Sequence, residues 1–203
     1  MRILFHVTLT TMLRHFESVL LELADRGHVI RIASHRSPEI APPAALVAHP
    51  GIAFVTSPGR RGDEWTTPIH ELRALRDYIR YLDVPFKSAT KLRARALRTA
   101  VKAVTHDERL HLVHRCPRCD GRLVDDEVGQ MLRGFGKKGV RNLDSLLALM
   151  ERTIPSATVL EEFLKAEQPD LMLVSPLINL GSYQADFVKS ARALGIPTVF
   201  PVF

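Results

Sequence analysis

Cysteine is nearly absent from this chain. Of 203 residues only Cys116 and Cys119 are cysteines, and they lie close together, so no disulfide framework staples the fold. Aromatic residues are sparse at 6%, with a single tryptophan. That scarcity disfavours a nucleic-acid reader that stacks bases on interleaved aromatics. No apolar run approaches the ~20 residues needed to span a bilayer. The opening "MRILFHV" lacks the long apolar region and small-residue cleavage site of a signal peptide. A cytoplasmic location is the resulting expectation. Phosphate-cradling glycines are missing too. The loop "TLTTMLRH" after the first apolar run has no glycine, which argues against a dinucleotide fingerprint. No GxxxxGK[ST] motif occurs either, so NAD and ATP lose their main support and no cofactor is expected in this chain.

What is present is a well-proportioned globular composition, 46% hydrophobic and 25% charged, enough for a sizeable core. The net charge of +6 is local. Between Phe86 and Arg118 nine basic residues face only Asp107 and Glu108, so this segment alone carries +7. Such a stretch is either a solvated helix face or a contact for phosphate or another anionic ligand, an anionic membrane surface or nucleic acid.

Periodicity organises the rest. "RILFHV" reads as a buried strand. Phe16, Val19, Leu20 and Leu23 form a helical stripe, Gly27 stands at a helix C-terminus, and "HVIRIAS" is a second strand. "SPEIAPPAALVAHPG" reads as loop by its prolines, "IAFVTS" as strand three, and "PGRRGDEWTTP" as a second loop. A long helical stretch follows. "LMLVS" is strand four, Ser182 to Leu194 a helix and "PTVFPVF" strand five. The expected fold is α/β: a parallel sheet of about five strands with helices on both faces and a large helical insertion between strands 3 and 4. The core spans 1–58 and 169–203, the insertion 59–168. Ligands of such sheets bind beyond the carboxyl ends of the strands, here at "TLTTMLRH", "SPGRRGDEW" and "PLINLGSYQ". The first and third should be neighbours.

"MRILFHV…HFESVLLELADRGHVIRIAS" and "PDLMLVSPLINLGSYQADFVKSARALGIPTVF" resemble the two ends of the N-terminal, Rossmann-like domain of GT-B fold glycosyltransferases. The resemblance covers about a third of the chain. It implies the acceptor-binding half of a transferase that moves a sugar from a nucleotide-sugar donor to a hydroxyl acceptor. It also implies that the C-terminal donor-binding domain is absent, so that this chain is a fragment inactive alone. By the same resemblance His15 is the candidate general base, although counting back from "RGH" places the family's histidine nearer Met12. Asp186 is the second choice for the base. Thr8, Thr10, Thr11 and Arg14 are candidate acceptor-binding residues, together with Ser182 and Gln184 at a later helix start. Gln184 is expected to reach outward and Ser182 to cap, as a threonine would cap the first helix. His6 is expected to be a satisfied core histidine.

"HLVHRCPRCDG" brings His111, His114, Cys116 and Cys119 within nine residues. Four donors suit zinc in number, but they are too crowded for a closed tetrahedron, so no metal is expected. The alternative to glycosyl transfer is a small stand-alone α/β binding module that meets anionic partners through the basic helical face.

Overall fold

The computed structural model describes residues 1–35, 41–82, 86, 88–105, 132–175 and 183–201. The chain divides into two compact units, Met1–Asp63 with Ser156–Phe203, and Glu64–Pro155.

The first unit is α/β. Its strands are β1 (Arg2–Val7), β2 (Val29–Ser34), β3 (Ile52–Thr56), β4 (Leu171–Ser175) and β5 (Thr198–Val199). They form one parallel sheet in the order β3-β2-β1-β4-β5. The expected Rossmann-like sheet is therefore present, with its change of direction between β1 and β4. Alternation along β1 divides two cores. Ile3, Phe5 and Val7 pack with Leu20 and Ala24 of helix α1 (Glu17–Asp25) and Leu46 of α2 (Ala44–Ala48). Leu4 joins the opposite core, with Leu160 and Leu164 of α6 (Thr158–Glu167) and Phe187 and Ala191 of α7 (Gln184–Ala193).

The helix-to-strand connections at Gly27 and Gly195 are both Schellman caps. Gly27 has φ +82°, its N–H reaches Ala24 O and the His28 N–H reaches Leu23 O. Gly195 has φ +72°, its N–H reaches Arg192 O and the Ile196 N–H reaches Ala191 O. A Cβ at either φ would cost about 1 kcal/mol or more, although no neighbouring atom blocks it.

The structure corrects four local expectations. Val19 is exposed, because Phe16 precedes α1 and the buried line runs Phe16, Leu20, Ala24. The proline-rich loop contains α2, which begins after Pro43 and buries Leu46 fully. Strand five has only two residues; Pro201 carries no N–H with which to extend the ladder. Helix α6 belongs to the sheet unit and not to the insertion, because Leu160 and Leu164 pack on Met172 and Val174.

The second unit is helical in its described residues. Helix α3 (Thr66–Arg80) packs against α4 (Thr90–Thr105) and α5 (Gly136–Thr153). Ile69, Ala74, Tyr78 and Ile79 of α3 and Ala96, Leu97 and Ala100 of α4 are buried, whereas Leu92 of α4 is exposed. Leu146, Leu149 and Met150 of α5 are exposed as well. An ion network joins α3 to α5. Arg73 Nε lies 2.7 Å and Arg76 Nη1 2.6 Å from the Glu151 carboxylate, and Arg76 Nε lies 3.1 Å from Asp144. Burial alone would raise the Glu151 pKa. The hydrogen bonds and charges of Arg73 and Arg76 outweigh that and hold it below its ordinary value.

The network sets a stability prediction. Glu151→Ala removes the carboxylate between two guanidinium groups and should cost the helical unit about 3 kcal/mol. Denaturant unfolding monitored by helical circular dichroism checks this; a loss within about 0.5 kcal/mol, ordinary for a surface change, would discount the network. The folded pKa is depressed, so the contribution is complete above the ordinary value of 4.5 and is lost as pH falls through the folded value.

Candidate functional site

At the carboxyl edge of the sheet β1 and β4 end side by side, with His6 opposite Val174 and Val7 opposite Ser175. His6 is fully buried. Its ring lies 4.0 Å, centroid to centroid, from Phe187 of α7. The amide of Gln184, the first residue of α7, locks this edge. Its Nε2 donates to the carbonyl oxygen of Ser175 at 3.0 Å and to His6 Nδ1 at 3.2 Å. Both amide hydrogens are then committed, so Nδ1 is the acceptor and Nε2 carries the imidazole proton. Nε2 has no hydrogen-bond partner among the described residues. Burial, helped by the charge of His35, pushes the His6 pKa down to about 3. His6 is thus a neutral imidazole presenting an N–H, and a poor proton acceptor near neutrality.

The polar cluster continues sideways. Tyr183 Oη is 2.7 Å from Nδ1 of His35, which directly follows β2. The loop after β3 approaches the same histidine; a Cβ at Gly59 would lie 3.1 Å from His35 Cδ2. Two residues on, Arg61 is almost wholly buried. It meets Asp63 through two parallel bonds, at 2.6 and 2.9 Å, the strong bidentate arrangement. Its Nη1 is 3.7 Å from Asp186. One guanidinium therefore sits between two carboxylates and ties the β3 loop to α7.

The predicted residues fall into two groups. Thr10, Thr11, Arg14 and His15 share one 3₁₀ turn, Thr10–His15, pinned by buried Leu13. Arg14 and His15 are exposed, and Arg14 Nε approaches His15 Nε2 at 3.4 Å. Thr8 lies just beyond β1 and buries its hydroxyl oxygen without a hydrogen-bond partner. Neither threonine caps a helix: Leu9 and Phe16 stand at the N-cap positions and make no side-chain cap bond. Gln184 and Asp186 form the second group. Gln184 does not reach outward, because its amide is spent on His6 and Ser175, and Asp186 is buried beside Arg61. Ser182, His111, His114, Cys116 and Cys119 lie outside the described residues. Among the described residues no cluster of His, Cys, Asp and Glu has the makings of a metal site, and no helix is long and apolar enough to cross a membrane.

Sequence reading treated His6 as satisfied and passed over His35, Arg61 and Tyr183. The one available signal was position. "RRGD" and "SYQAD" each stand at the carboxyl end of a strand, where charged residues gather on ligands.

The burial of His6 has a measurable consequence. Its folded pKa is depressed from 6.5 to about 3. Stability is complete above the unfolded value and declines as pH falls toward the folded one, by up to about 1.4 kcal/mol per pH unit. His6→Asn keeps an acceptor for Gln184 but does not titrate. Urea unfolding at about pH 7.5 and about pH 5 should show a smaller acid loss for the variant than for the wild type. Equal losses would mean that the folded His6 protonates normally.

Comparison with known proteins finds no family model that matches the chain, no curated protein similar to it and no similar solved structure.

Proposed function

We propose that this chain is the acceptor-side domain of a GT-B glycosyltransferase, and that a separate donor-binding domain holds the nucleotide sugar. The observation that carries the reading is the division of labour at the carboxyl edge of β1. His6 is buried and held neutral, and Asp186 is committed to Arg61. His15, on the polar turn that follows β1, is exposed to solvent beside Arg14. The resemblance of the two chain ends to the family and the parallel Rossmann-like sheet support the same reading.

In this mechanism the acceptor hydroxyl rests on the turn carrying Thr10, Thr11 and Arg14. His15 takes the hydroxyl proton as the oxygen forms its bond to the anomeric carbon. The bond from that carbon to the nucleoside diphosphate breaks, and the diphosphate leaves with the electron pair. Arg14, beside His15, suits an anionic group on the acceptor. Asp186 is no longer the second choice for the base, since proton transfer requires reach.

The test uses an enzyme in which this domain is joined to its donor-binding domain. His15→Ala should lower kcat by at least about 100-fold and leave donor Kd unchanged. Thr10→Ala or Thr11→Ala should raise the acceptor KM more than it lowers kcat. A His15→Ala enzyme within a few-fold of wild type would remove His15 from the mechanism. Calorimetry on the present chain should detect no micromolar binding of UDP- or GDP-sugars; such binding would overturn the assignment of the donor site to another domain.

A further inference from the structure

The helical unit contains a groove of about 910 Å³, within the range of small-molecule sites. Its walls are cationic: Arg80, Arg93, Arg133, Lys137 and Arg141 line it, against the single carboxylate of Asp144. That carboxylate is already engaged by Arg76, 3.1 Å away. Arg133, Lys137 and Arg141 recur every four residues and are exposed, and no carboxylate pairs with any of them among the described residues. Gly136, the first residue of α5, also lines the groove. The first turn of α5 holds no acidic residue and no side-chain cap, so its amide dipoles add to the positive field.

Apart from Ser145, the rest of the lining is apolar. Ile79, Tyr81, Leu82 and Val140 share the groove with these cations. Tyr81 is steadied edge-on by Phe86, with ring centroids 5.6 Å apart. Phe135, between Arg133 and Lys137 in the chain, is among the most exposed large apolar residues of the protein. Cations alone would suit any anion. Cations beside an apolar lining and an exposed phenylalanine suit an amphiphile, which pairs a phosphate with hydrocarbon.

We propose that this groove binds the phosphate headgroup and proximal acyl chain of an anionic membrane lipid. The site stands apart from the glycosyl-transfer reading and survives its failure. The groove takes Arg93 from the basic segment and joins it to cations outside that segment.

Vesicle co-sedimentation tests it. The intact chain is mixed with phosphatidylcholine vesicles, with or without phosphatidic acid. Binding should require the anionic lipid. The variant R133E/K137E/R141E should lose affinity by about 100-fold or more, at roughly 1 kcal/mol for each basic residue at an anionic surface. The charge-matched control K91E/R95E/R98E alters exposed residues of α4 outside the groove and should stay within a few-fold of wild type. Helical circular dichroism verifies that each variant is folded, and Lys137→Ala gives a milder step should the triple variant fail. A control that loses as much as the groove variant would reduce the effect to general electrostatics and overturn the site. In calorimetry, water-soluble dioctanoyl phosphatidic acid should bind at one per chain and glycerol 3-phosphate far more weakly. Equal binding of the two, or tighter binding of a nucleoside diphosphate, would overturn the lipid assignment. Wild-type affinity in the groove variant would do the same.

Discussion

The pairing of β1 with β4 is the constraint on which the sheet unit depends. Ile3 lies beside Leu171 and Val7 beside Ser175, so the two ends of the sequence meet at the centre of the sheet. The start of the ladder is clamped from both sides. The Arg2 N–H donates to the Asp170 carboxylate at 2.7 Å, and the Asp170 N–H returns to Arg2 O at 2.8 Å. The entropy of closing so long a loop grows only with the logarithm of its length, so the ladder tolerates a whole helical unit between β3 and α6. The same pairing creates the change of strand direction, and with it the edge where His6, Ser175 and Gln184 converge.

That edge shows how a buried polar cluster lowers the cost of burial. Each unsatisfied polar group removed from water costs about 1–3 kcal/mol, and more when charged. Arg61 is offset by Asp63 and Asp186, Gln184 by Ser175 and His6. His6 meets the cost differently, by surrendering its charge. The outcome is a sorting of titratable groups by reach. Those inside hold the loop after β3 and the start of α7 in place, and Arg14 and His15 on the turn after β1 are exposed to solvent.

The helical unit sorts its cations by the same logic. Arg73 and Arg76 turn to Glu151 and Asp144 and hold α3 against α5. Arg133, Lys137 and Arg141 face the groove without carboxylate partners among the described residues. Guanidinium groups of the same chemistry thus serve cohesion at one position and display at another, and a charge count along the chain cannot separate the two.

Much of the fold was legible in the residues themselves. Strand runs such as Arg2–Val7 and Leu171–Ser175 were read to the residue, because an unbroken apolar run suits a strand buried on both faces. Gly27 announced its cap because only glycine accepts a left-handed turn cheaply. The polar turn after β1 was likewise visible as a place for chemistry, since parallel sheets open at their carboxyl ends. What stayed hidden depended on contacts between distant residues. Gln184 and His6 stand 178 residues apart; no local pattern could reveal that the amide would be spent inside or that the imidazole would stay neutral. In the sequence Asp186 reads as a second choice for the base and Arg61 only as part of a loop at the sheet's carboxyl edge; nothing local shows that the two meet. Local conformation is set by each residue's own backbone and side-chain preferences, which the sequence carries. Burial, charge state and partner choice are set by which surfaces meet, and that only the tertiary structure decided.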